Sequence, residues 1–198
     1  MKNKKYHKKT HMFGFELPKT VHDAIPIDGE NGDTLWQDAI KEEMQAVSIA
    51  FDVIEDDQNL PPGYQEIKCH LIFTNKMEDF CRKARLVPRG HETEPPSSIT
   101  FASVVSRETV CIALTLAALN DLEVKASDIQ NAYLTAPNAE KIWTCLGPEH
   151  GTNSGKHAII TRALYGLKSA RALFRNHLTD SPYNSDHSDN ENVPPSHP

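Results

Sequence analysis

The sequence has few cysteines, no long hydrophobic run and no strong excess of positive charge. Its four cysteines stand 12, 30 and 34 positions apart, so there is no C-x-x-C pair, which argues against a structural zinc site. No apolar segment is long enough to span a bilayer, and no signal peptide is recognisable. These absences favour a cytoplasmic or nuclear protein with reduced thiols and no membrane partner.

Charge is unevenly distributed and divides the chain into three parts. Residues 1–33 begin with a lysine-rich arm and continue as a Pro- and Gly-containing lead-in, for which we predict irregular structure. Residues 34–178 carry nearly all the periodic segments and form the predicted domain. Residues 179–198 hold four acidic and no basic side chains and are rich in Ser, Asn and Pro, so we predict a disordered tail.

The periodic segments predict an α+β domain. Apolar residues at helical spacing from Trp36 to Phe51 predict an amphipathic helix, and Thr34 and Gln37 have the spacing of a capping box. Two alternating segments, 67–73 and 83–89, predict an antiparallel hairpin, and 141–146 with 157–161 predict another. A final helix is expected through Ala172, Leu173 and Leu178.

The most apolar segment is 106–120, which we predict to be a helix buried on more than one side. It should lie beneath a short strand ending at Asp128, where Val124, Ala126 and Asp128 share one face. An acid closing an apolar face has two interpretations. Asp128 either caps the short helix predicted around Asn131 or is a functional carboxylate of a binding or catalytic site.

Three sequence blocks bear on that choice. They are KARLVPRG at 83–90, DIQNAYL at 128–134 and YGLKSA at 165–170. In this order and spacing they resemble the reverse transcriptase of copia-type long-terminal-repeat retrotransposons, over about Trp36 to Leu178. The chain departs from that pattern at Ser169 and Arg171, where the family usually has Gln and a small residue or Pro.

The resemblance implies a partial fingers-and-palm fold and a set of site residues. Asp128 is the implied catalytic and metal-binding aspartate, with the Ile129 carbonyl beside it as a second Mg²⁺ ligand. The implied nucleotide-binding residues are Arg85, Arg89, Tyr133, Tyr165 and Gly166. The implied partners are an RNA or DNA primer-template and deoxynucleotides. Tyr133 is the implied steric gate against a 2′-hydroxyl group.

Each of these residues also has a structural interpretation that the sequence leaves open. Arg85 and Arg89 share one face of the predicted strand, and a solvated edge strand shows the same pattern. Tyr133 suits a core position as well as a nucleotide pocket. No Asp-Asp pair follows Asp128 in the sequence, so the F/Y-x-D-D hairpin that supplies two further carboxylates in the family is missing.

We therefore expect a fragment of an RNA-directed DNA polymerase that is inactive by itself, because a lone aspartate does not build a magnesium site. Two other functions remain open. The chain could bind nucleic acid without catalysis, or it could be an inert remnant of a retroelement.

Overall fold

A computed structural model of the chain describes residues 11–55, 59–95 and 100–180. Within these residues the helices are α1 Val21–Asn31, α2 Leu35–Val47, α3 Arg107–Leu119, α4 Ala132–Thr135 and α5 Ala170–Thr179. The strands are β1 His11–Met12, β2 Phe15–Glu16, β3 Phe51–Val53, β4 Gln65–Glu66, β5 Cys69–Asn75, β6 Arg82–Pro88, β7 Ile142–Cys145 and β8 His157–Ile160. Short 3₁₀ segments cover Ser48–Ala50, Gly90–Glu92 and Pro148–Asn153. The α+β composition predicted from the sequence is confirmed.

The strands form three small sheets. The short β1–β2 hairpin and the longer β5–β6 hairpin are each antiparallel pairs. The third sheet has the order β3-β8-β7-β4, in which β4 and β7 run parallel and the other pairs are antiparallel. The hairpins predicted from alternation at 67–89 and 141–161 are therefore both present.

Two apolar clusters hold these elements together. One lies between α1, α2 and the β5–β6 hairpin, and its centre is Trp36, whose ring meets Phe73 edge to face at 5.7 Å. The other joins α2, β6, the third sheet, α4 and α5, and includes Leu86, Leu134, Ile160 and Leu164. Both clusters include residues of α2 and β6, so these two elements connect the two halves of the apolar core.

The N-terminal lead-in is more regular than the sequence predicted. Residues 12–33 were expected to be irregular, but they contain most of the β1–β2 hairpin and the eleven-residue helix α1. The Asp23 carboxylate accepts the backbone N–H groups of Lys19 and Thr20, which fixes the chain where α1 begins. Gly32, with φ 73°, ends the helix in the left-handed conformation that glycine adopts without strain.

The start of α2 is capped from outside the helix. We expected Thr34 and Gln37 to form a capping box, but the Thr34 side chain makes no capping hydrogen bond and donates instead to Asp38. The carboxylate of Asp28, which is fully buried in α1, accepts the N–H groups of Trp36 and Gln37 at 3.1 and 3.0 Å. A buried acid on one helix therefore satisfies the free N–H groups of the next. The helix ends at Val47, earlier than predicted, and Phe51 lies in β3.

The largest difference from the sequence prediction concerns 106–129. Helix α3 forms, with Ser106 Oγ accepting the N–H of Thr109, but none of its residues is buried. Residues 122–129 form no strand and are exposed. The expectation that Asp128 ends a strand backed by a buried helix is therefore wrong. The prediction of a helix buried on more than one side is wrong as well, because no residue of α3 is buried.

The predicted disordered ends lie almost wholly outside the described residues, which omit 1–10 and 181–198. The exceptions are His11, which begins β1, Thr179, the last residue of α5, and Asp180, which follows that helix. Within the described ranges, no helix combines the length and the apolar character needed to cross a membrane.

Candidate functional site

An aromatic pair forms one side of the candidate site. Tyr133, in α4, and Tyr165, after β8, have ring centroids 6.2 Å apart. Phe174 of α5 meets Tyr133 edge to face at 6.0 Å and supports it from behind. The residue before α4, Asn131, adopts a left-handed conformation with φ 51°, which turns the chain sharply into this short helix. The site therefore has a flat apolar wall built from two sequence blocks.

Arg85 lies opposite this wall on β6. Its guanidinium carbon is 5.7 Å from the centroid of the Tyr165 ring, within the range of a cation–π contact. Arg85, Tyr133 and Tyr165 line one cavity of about 340 Å³. A cavity with an aromatic wall and a guanidinium opposite can accept a flat ring and an attached anion together.

Asp128 lies in an adjoining cavity. Arg85, Asp128 and Ile129 line a second space of about 450 Å³, and Glu43 and Arg85 line both cavities. The second cavity is strongly polar, with the basic side chains of Lys76 and Lys83 on its wall. Although Asp128 ends no strand, it lines the second cavity together with Arg85, which also lines the cavity of Tyr133.

The residues that the structure describes form no magnesium site. No group of three or more Asp, Glu, His or Cys side chains in the described part of the chain is arranged to hold a metal ion. Glu42 and Glu43 line the same cavity as Asp128, yet the three carboxylates do not converge. Magnesium needs several oxygen ligands at about 2.0–2.1 Å, so Asp128 and the Ile129 carbonyl do not suffice.

Two of the sequence-predicted site residues lie away from this cavity. The Arg89 guanidinium pairs with Glu92 at 3.2 Å and borders a separate space with Lys19 and Leu71. Gly166 is not among the residues that line the aromatic cavity. The structure therefore separates Arg89 and Gly166 from the group of Arg85, Asp128, Tyr133 and Tyr165.

Gly166 lies against the end of β6, at a position that only glycine can occupy. Its φ is +115°, and a Cβ atom there would lie 2.7 Å from the Pro88 carbonyl oxygen and 2.6 Å from a methyl group of Val87. The turn after β8 therefore touches the end of β6 so closely that only glycine fits. This contact sets the position of the neighbouring Tyr165 ring relative to Arg85.

The rest of the YGLK block anchors the same turn. Leu167 is buried in the larger apolar cluster, and the Lys168 ammonium donates to the carbonyl oxygen of Thr93 at 2.6 Å. Ser169, one of the departures from the family pattern, is fully buried and hydrogen-bonded to Glu140. A buried hydroxyl with a partner explains why serine is accommodated here.

Glu43 is a site residue that sequence reasoning missed. It follows Trp36 and Ile40 and precedes Val47 on the inward stripe of α2, where a carboxylate is unusual. Its Oε1 accepts the backbone N–H of Leu86 at 2.8 Å, which joins α2 to the strand that carries Arg85. An acid at a core position of an amphipathic helix was the signal that could have identified it.

Burial raises the pKa of the Glu43 carboxyl above its ordinary value of 4.5, while the Leu86 N–H and the nearby Arg85 and Lys83 offset part of this rise. A carboxyl with a raised folded-state pKa binds more protons folded than unfolded in the interval above 4.5. Its contribution to stability is therefore full below that pH and declines as pH rises through the folded-state pKa.

We expect Glu43→Ala to lower the free energy of unfolding by about 1–3 kcal/mol, because the N–H of buried Leu86 loses its acceptor. Glu43→Gln keeps an acceptor oxygen and should cost less. Glu43→Gln should also flatten the decline in stability that this group causes as pH rises above 4.5. Urea unfolding at several pH values measures both effects. An equal loss in the two variants would show that the charge, and not the hydrogen bond, sets the stability.

A known protein family matches most of the chain. The family described as "Reverse transcriptase (RNA-dependent DNA polymerase)" matches residues 51–192. The chain belongs to the reverse transcriptase family. All the residues gathered in the two cavities, apart from those on α2, lie inside the matched range.

The relatives place the chain among retrotransposon proteins of the copia type, which confirms the resemblance found in the sequence. It is 31% identical over 142 residues to the "Retrovirus-related Pol polyprotein from transposon TNT 1-94" of Nicotiana tabacum, a match that covers 67% of this chain and 10% of the relative. It is 32% identical over 104 residues to the "Truncated transposon Ty1-A Gag-Pol polyprotein" of Saccharomyces cerevisiae, covering 52% of this chain and 9% of the relative. The reverse transcriptase chain thus spans about a tenth of these relatives. No solved structure matches it.

Proposed function

We propose that this chain is the fingers-and-palm part of a copia-type reverse transcriptase and that its two joined cavities bind the incoming deoxynucleoside triphosphate. The parent activity is RNA-directed DNA synthesis. The observation that carries the proposal is the Arg85 guanidinium, 5.7 Å from the Tyr165 ring and sharing one cavity with Tyr133. In this assignment the β5–β6 hairpin belongs to the fingers, and the elements from α4 onward belong to the palm.

Each part of the nucleotide has a chemical counterpart in the site. The triphosphate lies against Arg85, whose planar guanidinium binds phosphate oxygens in pairs. Lys76 and Lys83 add positive charge in the adjoining cavity. The sugar rests on the Tyr133 ring, which leaves no room for a 2′-hydroxyl group and so favours deoxynucleotides.

The proposed role is binding and orientation of the nucleotide, because the described residues do not hold a magnesium ion. Asp128 lies where it would face the phosphates together with Arg85. The nucleic-acid partner is a primer-template that contacts Lys76, Lys83 and Arg85 through its phosphates, and its affinity should fall with salt concentration.

Isothermal titration with dTTP tests the proposal through Arg85. A charge-assisted hydrogen bond to phosphate is worth about 1.5–3 kcal/mol, so Arg85→Gln should weaken binding about 10- to 100-fold. Arg89→Gln is the matched control, because Arg89 is also an exposed arginine near the end of β6 but borders a different space. Equal losses in the two variants would contradict the proposed site and indicate general charge attraction.

A further inference from the structure

The outer edge of β5 is open between Leu71 and Phe73. Just before this strand, the Lys68 carbonyl oxygen accepts the N–H of Arg89 at 2.8 Å, and this bond continues the register of the β5–β6 hairpin. Since alternate residues of an antiparallel pair bond to the partner strand, the N–H and C=O groups of Leu71 and Phe73 point away from β6. Within the part of the chain that the structure describes, no further strand pairs with these four groups.

Neighbouring positions on the two outer edges of the hairpin have partners. On β6 the same alternation turns the Leu86 N–H outward, where it donates to Glu43 of α2 at 2.8 Å. At the end of β5, Asn75 donates its backbone N–H to the Met12 sulfur at 3.4 Å and its side-chain amide to the Met12 carbonyl oxygen at 3.2 Å. The opening on β5 therefore offers two donors and two acceptors to another extended chain.

A cavity of about 940 Å³ lies along this open edge, within the usual size range of ligand sites. Its apolar lining comes from both sides of the gap and consists of Met12, Leu17, Pro18, Leu71, Ile72 and Phe73. An added strand would therefore bring its side chains against apolar atoms. None of the described residues lines both this cavity and a nucleotide cavity, so the two sites are separate.

The titratable side chains that line this cavity are all basic. They are Lys19, His70, Arg89 and His91, and no described Asp or Glu is among them. Arg89 also pairs with Glu92 at 3.2 Å, but both side chains are more than 40% exposed, and an exposed pair of this kind exchanges readily for another carboxylate. Two copies of this edge would bring like charges together, whereas an acidic segment would match them.

We propose that the open edge of β5 binds an extended, acidic peptide segment of a partner protein by strand addition. The segment runs antiparallel to β5, and two of its residues, two positions apart, exchange N–H···O bonds with Phe73 and then with Leu71. These two residues are apolar, because their side chains lie on the same face as Leu71 and Phe73, beside Leu17. Acidic residues follow them, where the segment passes Lys19 and Arg89.

Titration of the full chain with the synthetic peptide acetyl-SVTVDE-amide, followed by the backbone amide signals in nuclear magnetic resonance, tests this proposal. The N–H groups of Leu71 and Phe73 should shift to lower field and exchange with solvent more slowly, because they gain acceptors. The Ile72 N–H, which already bonds to β6, should change little. The peptide acetyl-SVTVKK-amide should bind at least about fivefold more weakly, because its charge is reversed.

N-methylated peptides separate backbone pairing from apolar contact. Methylating both valine nitrogens removes the donors to the Leu71 and Phe73 carbonyl oxygens and should weaken binding about 5- to 100-fold. Methylating the threonine nitrogen, which points to solvent in the paired peptide, is the matched control and should have little effect.

A substitution in the chain tests the charge match from the other side. Lys19→Gln should weaken binding of acetyl-SVTVDE-amide about 2- to 5-fold, whereas Lys41→Gln, an exposed position on α2 outside the cavity, should leave it unchanged. No saturable shift at Leu71 and Phe73, or equal affinity of the acidic and basic peptides, would overturn the proposal. Slower exchange of those two N–H groups at higher chain concentration without peptide would assign the edge to a second copy and would also contradict it.

Discussion

The purified chain is expected to extend no primer when it is given primer-template, Mg²⁺ and deoxynucleotides. Nucleotidyl transfer uses two divalent ions that clamp the attacking and leaving oxygens, and their mutual repulsion is offset only where several carboxylates converge. The family resemblance supplies Asp128 alone, no Asp-Asp pair follows it in the sequence, and no three acidic side chains of the described residues are arranged to hold a metal ion. Such electrostatic effects are worth many powers of ten in rate.

The Asp128→Asn variant is the control for that result. Because the wild-type chain is expected to show no turnover, the substitution should change nothing in the extension assay. It should slightly strengthen binding of primer-template, since it removes a negative charge from a cavity that also contains Arg85. Extension by the wild-type chain that the substitution abolishes would show that other carboxylates complete the site.

Gly166→Ala is expected to lower the free energy of unfolding by about 2–6 kcal/mol, because two costs add at this position. The backbone has φ +115°, which strains any residue with a Cβ atom, and strain of this kind costs about 1–3 kcal/mol. The new methyl group would also collide with the Pro88 carbonyl oxygen and the Val87 side chain, and such overpacking costs about 1–3 kcal/mol.

Gly155→Ala separates the two costs. Gly155 has φ +87°, but nothing lies within 4 Å of a Cβ atom placed there, so this variant should carry the strain alone. Urea unfolding of both variants gives the difference. If Gly166→Ala were no more destabilising than Gly155→Ala, the close contact between the YGLK turn and β6 would not exist as described.

The sequence predicted those elements whose pattern is satisfied within the chain. Alternation identified the β5–β6 and β7–β8 hairpins, and helical spacing identified α2 and α5, because each buries its apolar face against a neighbour. Apolar composition also identified α3. Its environment was predicted wrongly, because a pattern that calls for burial does not say whether the partner belongs to the same chain.

Helix α1 and Glu43 show a different limit of sequence reasoning. Pro26 and Gly29 suggested irregular structure, but the contacts that decide α1 are tertiary, since buried Asp28 caps the start of α2. Glu43 was not identified from the sequence, although it accepts the N–H of Leu86, 43 positions later. Hydrogen bonds between residues distant in sequence are not visible in a local pattern.

The grouping of site residues was partly foreseeable. The resemblance brought Arg85, Tyr133, Tyr165 and Asp128 to one place, and the structure has them around two joined cavities. Arg89 was predicted to bind the nucleotide together with Arg85, because the two would share one face of a continuous strand. The strand ends at Pro88, however, and Arg89 follows it with φ −80° and ψ 63°, turned toward Glu92. Period-two reasoning fails where the strand stops.

The central claim is that a deoxynucleoside triphosphate binds in the two cavities that Arg85 and the tyrosine pair line, and nuclear magnetic resonance of ring-labelled tyrosine tests it most directly. During titration with dTTP, the ring signals of Tyr133 and Tyr165 should shift together and saturate at one dissociation constant, while Tyr64, which lines neither cavity, should not respond. Arg85→Gln should move that saturation to about 10- to 100-fold higher concentration. Saturating shifts confined to tyrosines other than Tyr133 and Tyr165, or no shift in any tyrosine, would contradict the account.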